Sequence, residues 1–258
     1  MAGPSRTRTG FLIDIAGDTL TAGRVRRQEC PSLDGYARSM VLLPLFPLGT
    51  VLLPGAALPL QIFEPRYVAL LEDLAHQPAE PRAFGIVAIR QGHEVGAGAA
   101  TELHDVGCEA VIEGPVVGIR PPFHLVARGG RRFRLDGVDA TAGPPYLVGE
   151  VTWLDEAPPA AEGDLDHLEA QLRAAHAAYA RALGAEPALI PAAPVGELAY
   201  RVVERSALTL ADRQEVLAAP CAADRLRTTL RILRTETALL TQLRAVPGAP
   251  DPGQSSPN

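Results

Sequence analysis

The chain has 258 residues, of which 47% are hydrophobic, and its formal net charge at pH 7 is −6. That length suffices for one large domain or two small ones, and no apolar run of about 18 residues is present that would predict a membrane span. All 24 basic residues are arginine. Without lysine the chain can hold neither a P-loop lysine nor a Ser–Lys dyad, and no protein amine can form a Schiff base.

Residues 1–39 form a polar, irregular segment with six arginines against four acidic residues, a net of +2 that leaves −8 for the remainder. This shift in composition predicts a domain boundary at Met40, with 1–39 a disordered or extraneous extension and translation starting at Met1 or Met40. The first apolar stretch is interrupted by Asp14 and Asp18, unlike a secretory signal. The three cysteines are odd in number and far apart, which fits neither a disulfide framework nor a zinc site and favours a cytoplasmic location.

Residues 40–156 carry the signals of a strand-rich domain. The apolar runs VLLPLFPL and ALPLQIF are interrupted by prolines, which predicts edge or bulged strands. Further strands are predicted over AFGIVAIR, CEAVIEG, FHLVAR, RRFRLDGV and YLVGEVTWL. One helix is predicted to begin at Pro65, because Tyr67, Leu70 and Leu74 then share a face. Many short strands separated by Gly/Pro turns indicate a small barrel or sandwich.

After a predicted linker at 157–163 (APPAAEG), the hydrophobic period becomes helical over residues 164–246. The first helix of this predicted bundle has Asp164 as its N-cap and Gly184 as its C-terminal stop. Its apolar stripe comprises Leu165, Leu168, Leu172, Tyr179 and Leu183.

Three more helices are predicted in the bundle. A weak helix spans 195–206, and Thr209 with Asp212 resembles a capping box for a short helix that ends before Pro220. The last helix spans about 222–244, and its face with Leu226 and Leu230 is expected to pack in a core shared by the barrel and the bundle. The Pro/Gly/Ser-rich tail, 247–258, is predicted to be disordered.

Several segments together resemble the amino-terminal, substrate-binding domain of the Lon protease family. Residues 43–67, LPLFPLGTVLLPGAALPLQIFEPRY, resemble the opening motif of that domain. DVGCEAVIEG resembles a second strand motif, with Cys108 where the family usually has Thr, and RGGRRFRLDG followed by PYLVGEVTWLDE resembles a hairpin. The helical segment from LTLADRQEVL to RLRTTLRILRTE resembles the end of the domain. The resemblance covers about Leu42 to Leu243.

This resemblance implies an α+β fold, a PUA-like β-barrel with one internal helix followed by a C-terminal helical bundle. It also implies a protein-interaction module related to the S16 peptidases. The absence of lysine and of a P-loop motif predicts that this module has neither ATPase nor protease activity, and no cofactor or metal is predicted. The implied partners are unfolded or partner polypeptides, with a separate Lon protease left open as a further partner. No membrane partner is predicted, and the net charge of −8 outside residues 1–39 argues against nucleic acid. The client and the oligomeric state are not defined.

The segment 51–62, VLLPGAALPLQI, is the predicted polypeptide-binding site, because it holds more apolar residues than a short strand interrupted by Pro54 and Pro59 can hide. The alternative is that the same segment closes the barrel core. The binding residues proposed on this basis are Leu52, Leu53, Leu58, Leu60 and Ile62. The motif and structural residues implied by the resemblance are Pro44, Phe46, Pro47, Pro54, Phe63, Glu64, Arg66, Tyr67, Gly107, Arg132 and Phe133. Within that set, Glu64 and Arg66 are either a contact site or a local charge pair or helix cap.

Two other classes of function compete with polypeptide binding. Arginines flanking a Gly-Gly turn could contact RNA phosphates, as in an RNA-binding PUA-like protein, or could be a solvated hairpin tip; they are Arg128, Arg131, Arg132 and Arg134. An enzyme with an unrecognised site in a cleft would need convergent polar groups. The potential metal ligands have a spacing that matches no helix-face site; they are His93, Glu94, Glu102, His104 and Asp105. The Gly-rich stretch 91–102 is predicted to be a mobile loop.

Overall fold

The computed structural model describes residues 40–77, 81–92, 102–139, 143–155, 162–191, 193–194 and 196–245. The predictions for 1–39 and 247–258, and for most of the linker and the Gly-rich loop, fall outside these residues. The strands are β1 (Met40–Leu48), β2 (Ala57–Ile62), β3 (Ala83–Gln91), β4 (Glu102–Leu103), β5 (Val106–Val117), β6 (Phe123–Asp139) and β7 (Leu147–Leu154). The helices are α1 (Pro65–His76), α2 (Glu162–Ala182), α3 (Leu198–Glu204), α4 (Leu210–Ala218) and α5 (Ala222–Ala245).

Five of the strands close into a barrel. They follow the order β1-β7-β6-β5-β3, and β3 returns to β1 in parallel, with Leu45 opposite Gly85. β2 adds to β6 and β4 adds to β3 outside this ring. The predicted fold class, a β-barrel with one internal helix followed by a helical bundle, is therefore confirmed.

The prolines of the opening motif lie where β1 changes its partner. Pro44 is opposite Val148 of β7, while Pro47 is opposite Val87 of the parallel strand β3. Residues Leu43 and Leu45 point into the barrel and pack there with Val87, Phe133 and Val151. Gly107 of β5 lies against this layer, since a Cβ at that position would lie 2.3 Å from the Phe133 ring.

β6 is one long strand rather than the two predicted. The expected turn at Gly129-Gly130 is wrong, because both glycines lie inside β6, where the loop before β2 crosses the strand at close range. Gly55 donates to the Gly129 carbonyl over 2.8 Å, and a Cβ on Gly129 would lie 2.0 Å from the Leu53 carbonyl oxygen. Glycine at 129 thus permits a backbone approach that a side chain would block.

The predicted C-terminal end of α2 is confirmed, whereas its predicted N-cap is wrong. Gly184 adopts a φ of 79°, and the amides of Gly184 and Ala185 donate to the carbonyls of Arg181 and Ala180, which is a Schellman motif. Asp164 is not the N-cap, because α2 begins two residues earlier, at Glu162. Leu183 is exposed rather than part of the apolar stripe.

Two further expectations concern the capping box of α4 and the state of the cysteines. The capping box predicted for Thr209 and Asp212 is present at the start of α4. Cys108 is a free and fully buried thiol. The expectation for the other two cysteines stays a prediction, because Cys30 lies outside the described residues.

The barrel and the bundle share one hydrophobic core. It includes Phe46 and Leu125 from the barrel and Leu226, Leu230 and other apolar residues of the helices. Hydrogen bonds from two polar side chains also join the barrel to the bundle. The Arg132 guanidinium of β6 donates to the carbonyls of Leu217 and Ala219 at the end of α4, over 2.8 and 2.6 Å. The Gln214 amide of α4 donates to the Val106 carbonyl over 2.9 Å.

Candidate polypeptide-binding site

The predicted binding segment, 51–62, divides between core and surface. Leu52, Leu53 and Ile62 are buried in the shared core. The expectation that these three are exposed is wrong, because the turn at 53–56 is held against β6 by backbone hydrogen bonds. Leu58 and Leu60 are half-buried on β2 and pack on the edge of the same core. Of the five predicted residues, only these two remain accessible to a ligand.

β2 is an edge strand. It pairs with β6 from Ala57 opposite Arg128 to Ile62 opposite Phe123, and no other strand in the described residues pairs with it. Pro59 lies in its middle, which fits the rule that proline in a sheet is confined to edges and bulges. The edge prediction drawn from the prolines therefore holds for β2, whose outer side presents unpaired backbone groups.

A shallow groove covers one face of the small sheet formed by β2, the first half of β6 and the second half of β5. Its volume is about 440 Å³, and we call it the outer groove. Its walls include Pro59, Val117, His124 and Val126. Val117 is 59% exposed and Val126 39%, so the groove offers apolar side chains directly beside the free edge of β2.

A second cavity lies where the same hairpin faces α1. It has a volume of about 600 Å³, and we call it the α1 pocket. Leu71 and Leu74 of α1 face Ile112 and Phe123 of the hairpin across it, with Leu74 buried and the others half-buried. The charged side chains at its margin are Glu72 and Arg82.

The β5–β6 connection, 118–122, is the most exposed apolar feature of the barrel, and we call it the hairpin tip. Ile119 is 98% exposed, and Val116 and Val117 before it are also exposed. This feature was not among the sites predicted from the sequence. Its signal is the segment VVGIRPPF, in which apolar residues flank a glycine and a proline pair that cannot continue a strand pair.

The arginines of β6 do not form a free basic face. Arg128 pairs with Glu113, Arg131 with Glu109 and Arg134 with Asp136. Arg132 is only 3% exposed and points into the junction with the bundle. The alternative of a solvated hairpin tip for these residues is also wrong, because they lie along β6 and not at its end. A phosphate backbone would have to displace these acidic partners.

The potential metal ligands that the structure describes surround an arginine instead. Arg90 lies 3.4 Å from Glu102 and 3.8 Å from Asp105. Partial burial and the positive charge of Arg90 lower the pKa of His104. His93 and Glu94 lie outside the described residues, within which no group of three or more His, Cys, Asp or Glu residues is arranged to hold a metal ion.

Among the described residues, no helix is both long enough and apolar enough to cross a bilayer.

The family model for the substrate-binding domain of the ATP-dependent protease La (LON) matches residues 42–235. The chain belongs to this family.

Two solved structures support the Lon-type fold. The Lon N-terminal domain protein from Xanthomonas campestris is 28% identical, with a TM-score of 0.50, and the match covers 74% of this chain and 98% of that one. The N-terminal domain of the Mycobacterium avium complex Lon protease is 20% identical, with a TM-score of 0.55, over 77% of this chain and 98% of that one. No curated protein matches this sequence.

The most distinctive Lon-type motif residues hold the barrel to α1. Phe46 stacks on Tyr67 with ring centroids 3.8 Å apart, and the Arg66 guanidinium lies 4.5 Å from the Tyr67 ring. Arg66 also pairs with Glu64 over 2.9 Å, so the local charge pair is present, but the Glu64 side chain makes no cap hydrogen bond to α1. Phe63, between β2 and α1, is exposed. Except for Phe63, this part of the motif serves the fold.

Proposed function

We propose that this Lon-type domain binds extended segments of unfolded or partner polypeptides along the free edge of β2 and in the outer groove. The observation that carries the proposal is the adjacency of an unpaired strand edge to an apolar groove. Strand addition uses the backbone of the ligand, which every polypeptide has, while the groove accepts apolar side chains of varied shape. This combination suits recognition of many clients without a fixed sequence.

The affinity expected of such a site is modest. Pro59 removes one backbone donor from the edge, and an unfolded client loses conformational entropy when it is ordered. A dissociation constant on the order of micromolar is therefore expected.

The proposed module works without ATP hydrolysis or peptide cleavage, because its 258 residues contain no lysine for either site. A separate Lon protease is a candidate recipient of its clients. The cytoplasmic location stays a prediction. Labelling of free thiols in intact native cells, followed by mass spectrometry, tests it through the redox state of Cys221.

The test is fluorescence-detected binding of a reduced and alkylated model protein to the full chain. Replacing Val117 and Val126 together with Ser removes the apolar walls of the outer groove, and binding should weaken by about 10-fold. Both side chains are substantially exposed, so the fold should be kept. Leu189→Ser is the matched control, since Leu189 is 90% exposed on the α2–α3 connection. Leu53 is unsuitable for this purpose because it is buried.

A matched single-stranded RNA forms the second arm of the experiment. Tight RNA binding without polypeptide binding would overturn the proposed function. Polypeptide binding that is unchanged in the double variant would keep the function and reject the outer groove as its site.

A further inference from the structure

The hairpin tip carries an apolar side chain and a charge that no contact within the described residues uses. Ile119 is 98% exposed, and the neighbouring Arg120 is also exposed. Within the described part of the chain, Arg120 has no acidic partner at salt-bridge distance. An almost fully exposed isoleucine beside an unpaired guanidinium has the composition of an interface contact rather than of a solvated turn.

The α1 pocket lies at the base of the same hairpin. Val116 near the end of β5 and Phe123 at the start of β6 line it together with Leu71 and Leu74. Its volume of about 600 Å³ exceeds what one branched aliphatic side chain occupies. On the α1 side its margin carries Glu72, which also lacks an ion-pair partner among the described residues.

We propose that the α1 pocket receives the hairpin tip of a second copy of this chain. Ile119 of each copy enters the pocket of the other, and Arg120 of each copy pairs with Glu72 of the other. The two hairpins then lie side by side and antiparallel about a two-fold axis. A two-fold interface uses the same patch on both copies. Because the hairpin tip and the α1 pocket lie on the same hairpin, each copy can insert its Ile119 into the other copy and receive the other Ile119 in turn.

Charge complementarity selects this occupant. Arg82 is the other charged residue at the pocket margin, and it repels a second guanidinium. The tip must therefore approach along α1, where Glu72 lies. An incoming basic tip with a branched apolar side chain matches this margin, and the chain itself carries that combination at Ile119 and Arg120.

The dimer leaves the proposed client site open. The outer groove is lined by Val117, His124 and Val126, whereas the α1 pocket is lined by Val116 and Phe123, their neighbours along the same strands. Successive residues of a strand point to opposite faces of a sheet. Dimer contact and client binding therefore occupy opposite faces of the small sheet and meet at Pro115 of β5, which borders both cavities, and each is tested separately.

The experiment is sedimentation equilibrium of the full chain, with Ile119→Ser, Arg120→Glu, Glu72→Arg and the double variant Arg120→Glu/Glu72→Arg. The wild-type chain should dimerise with a dissociation constant on the order of 10 μM, as expected for a small interface. Ile119→Ser removes two buried side chains per dimer and should weaken association on the order of 100-fold. Each single charge reversal should also weaken it, and the double variant should restore it.

The double variant Arg120→Glu/Glu72→Arg distinguishes a specific contact from non-specific hydrophobic association. Leu189→Ser, which removes a leucine that is 90% exposed from the bundle, should leave dimerisation unchanged. Far-UV circular dichroism confirms folding of every variant, since all the substituted side chains are exposed. A wild-type chain that stays monomeric at about 200 μM overturns the proposal. So does dimerisation that persists in Ile119→Ser, or that the double charge variant fails to restore.

Discussion

Replacement of Arg132 with Met tests the junction between barrel and bundle. Arg132 projects from β6 and places its guanidinium at the C-terminal end of α4, where it donates to the carbonyls of Leu217 and Ala219. A positive charge at this end of a helix is also favoured by the helix dipole. Methionine keeps an apolar stem of comparable length, so the substitution removes the charge and the donors with little loss of packing volume.

The expected loss of stability follows from the two contacts. A hydrogen bond from a charged donor contributes about 1.5–3 kcal/mol, and removing it leaves a buried carbonyl without a donor. Against this, methionine avoids the desolvation of a buried charge, which offsets part of the loss. The net destabilisation should be about 3 kcal/mol, which for a domain of this size lowers the melting temperature by about 6–12 °C.

The assay is thermal unfolding followed by circular dichroism, together with chemical denaturation to obtain the free energy of unfolding. Arg131→Met is the matched control, because the neighbouring Arg131 guanidinium is exposed, pairs with Glu109 and lies 3.9 Å from the Trp153 ring centroid. These two solvent-exposed contacts should together contribute about 1 kcal/mol. If Arg132→Met melts within about 1 °C of the wild type, the contacts of Arg132 to α4 do not stabilise the junction, contrary to this prediction.

Three further predictions concern the core, the glycine crossing and the pH dependence of stability. Leu226→Asp places an unpaired charge in the shared core and should cost a few kcal/mol in chemical denaturation, whereas Leu243→Asp on the exposed end of α5 should be nearly neutral; equal melting temperatures would show that the first face is not buried. Gly129→Ala should prevent folding or destabilise strongly, because its Cβ would meet backbone, while Gly130→Ala should be milder, because its Cβ would meet only a movable carboxylate; equal losses of soluble expression and melting temperature would contradict this difference. Burial and a nearby arginine lower the pKa of His176, so the unfolded chain binds its proton first and stability should fall as pH drops below about 6.5. His176→Leu should make unfolding free energies at pH 7.5 and 5.5 differ less than in the wild type, and an unchanged difference would contradict the assignment.

Local rules in the sequence were sufficient for much of the fold. The Schellman motif at Gly184 and the capping box of Thr209 depend on a few consecutive residues, so their patterns were readable without the tertiary structure. Helical periodicity correctly placed Leu226 on a buried face, and the prolines of ALPLQIF correctly marked an edge strand. The order of four motifs was sufficient to identify the family.

The accessible surface was decided by contacts between segments distant in sequence. Leu52, Leu53 and Ile62 have the same local pattern as an exposed apolar segment, but a loop that crosses β6 at Gly129 buries them. Arg132 resembles any other arginine of an alternating strand until α4 covers it. The alternation of side chains along a strand predicts which residues share a face. It does not predict which of the two faces another element covers, because that depends on the topology of the chain. The sequence by itself therefore determined the elements and the family, and only the tertiary structure decided which apolar residues, Val117, Ile119 and Val126 among them, are left for a partner.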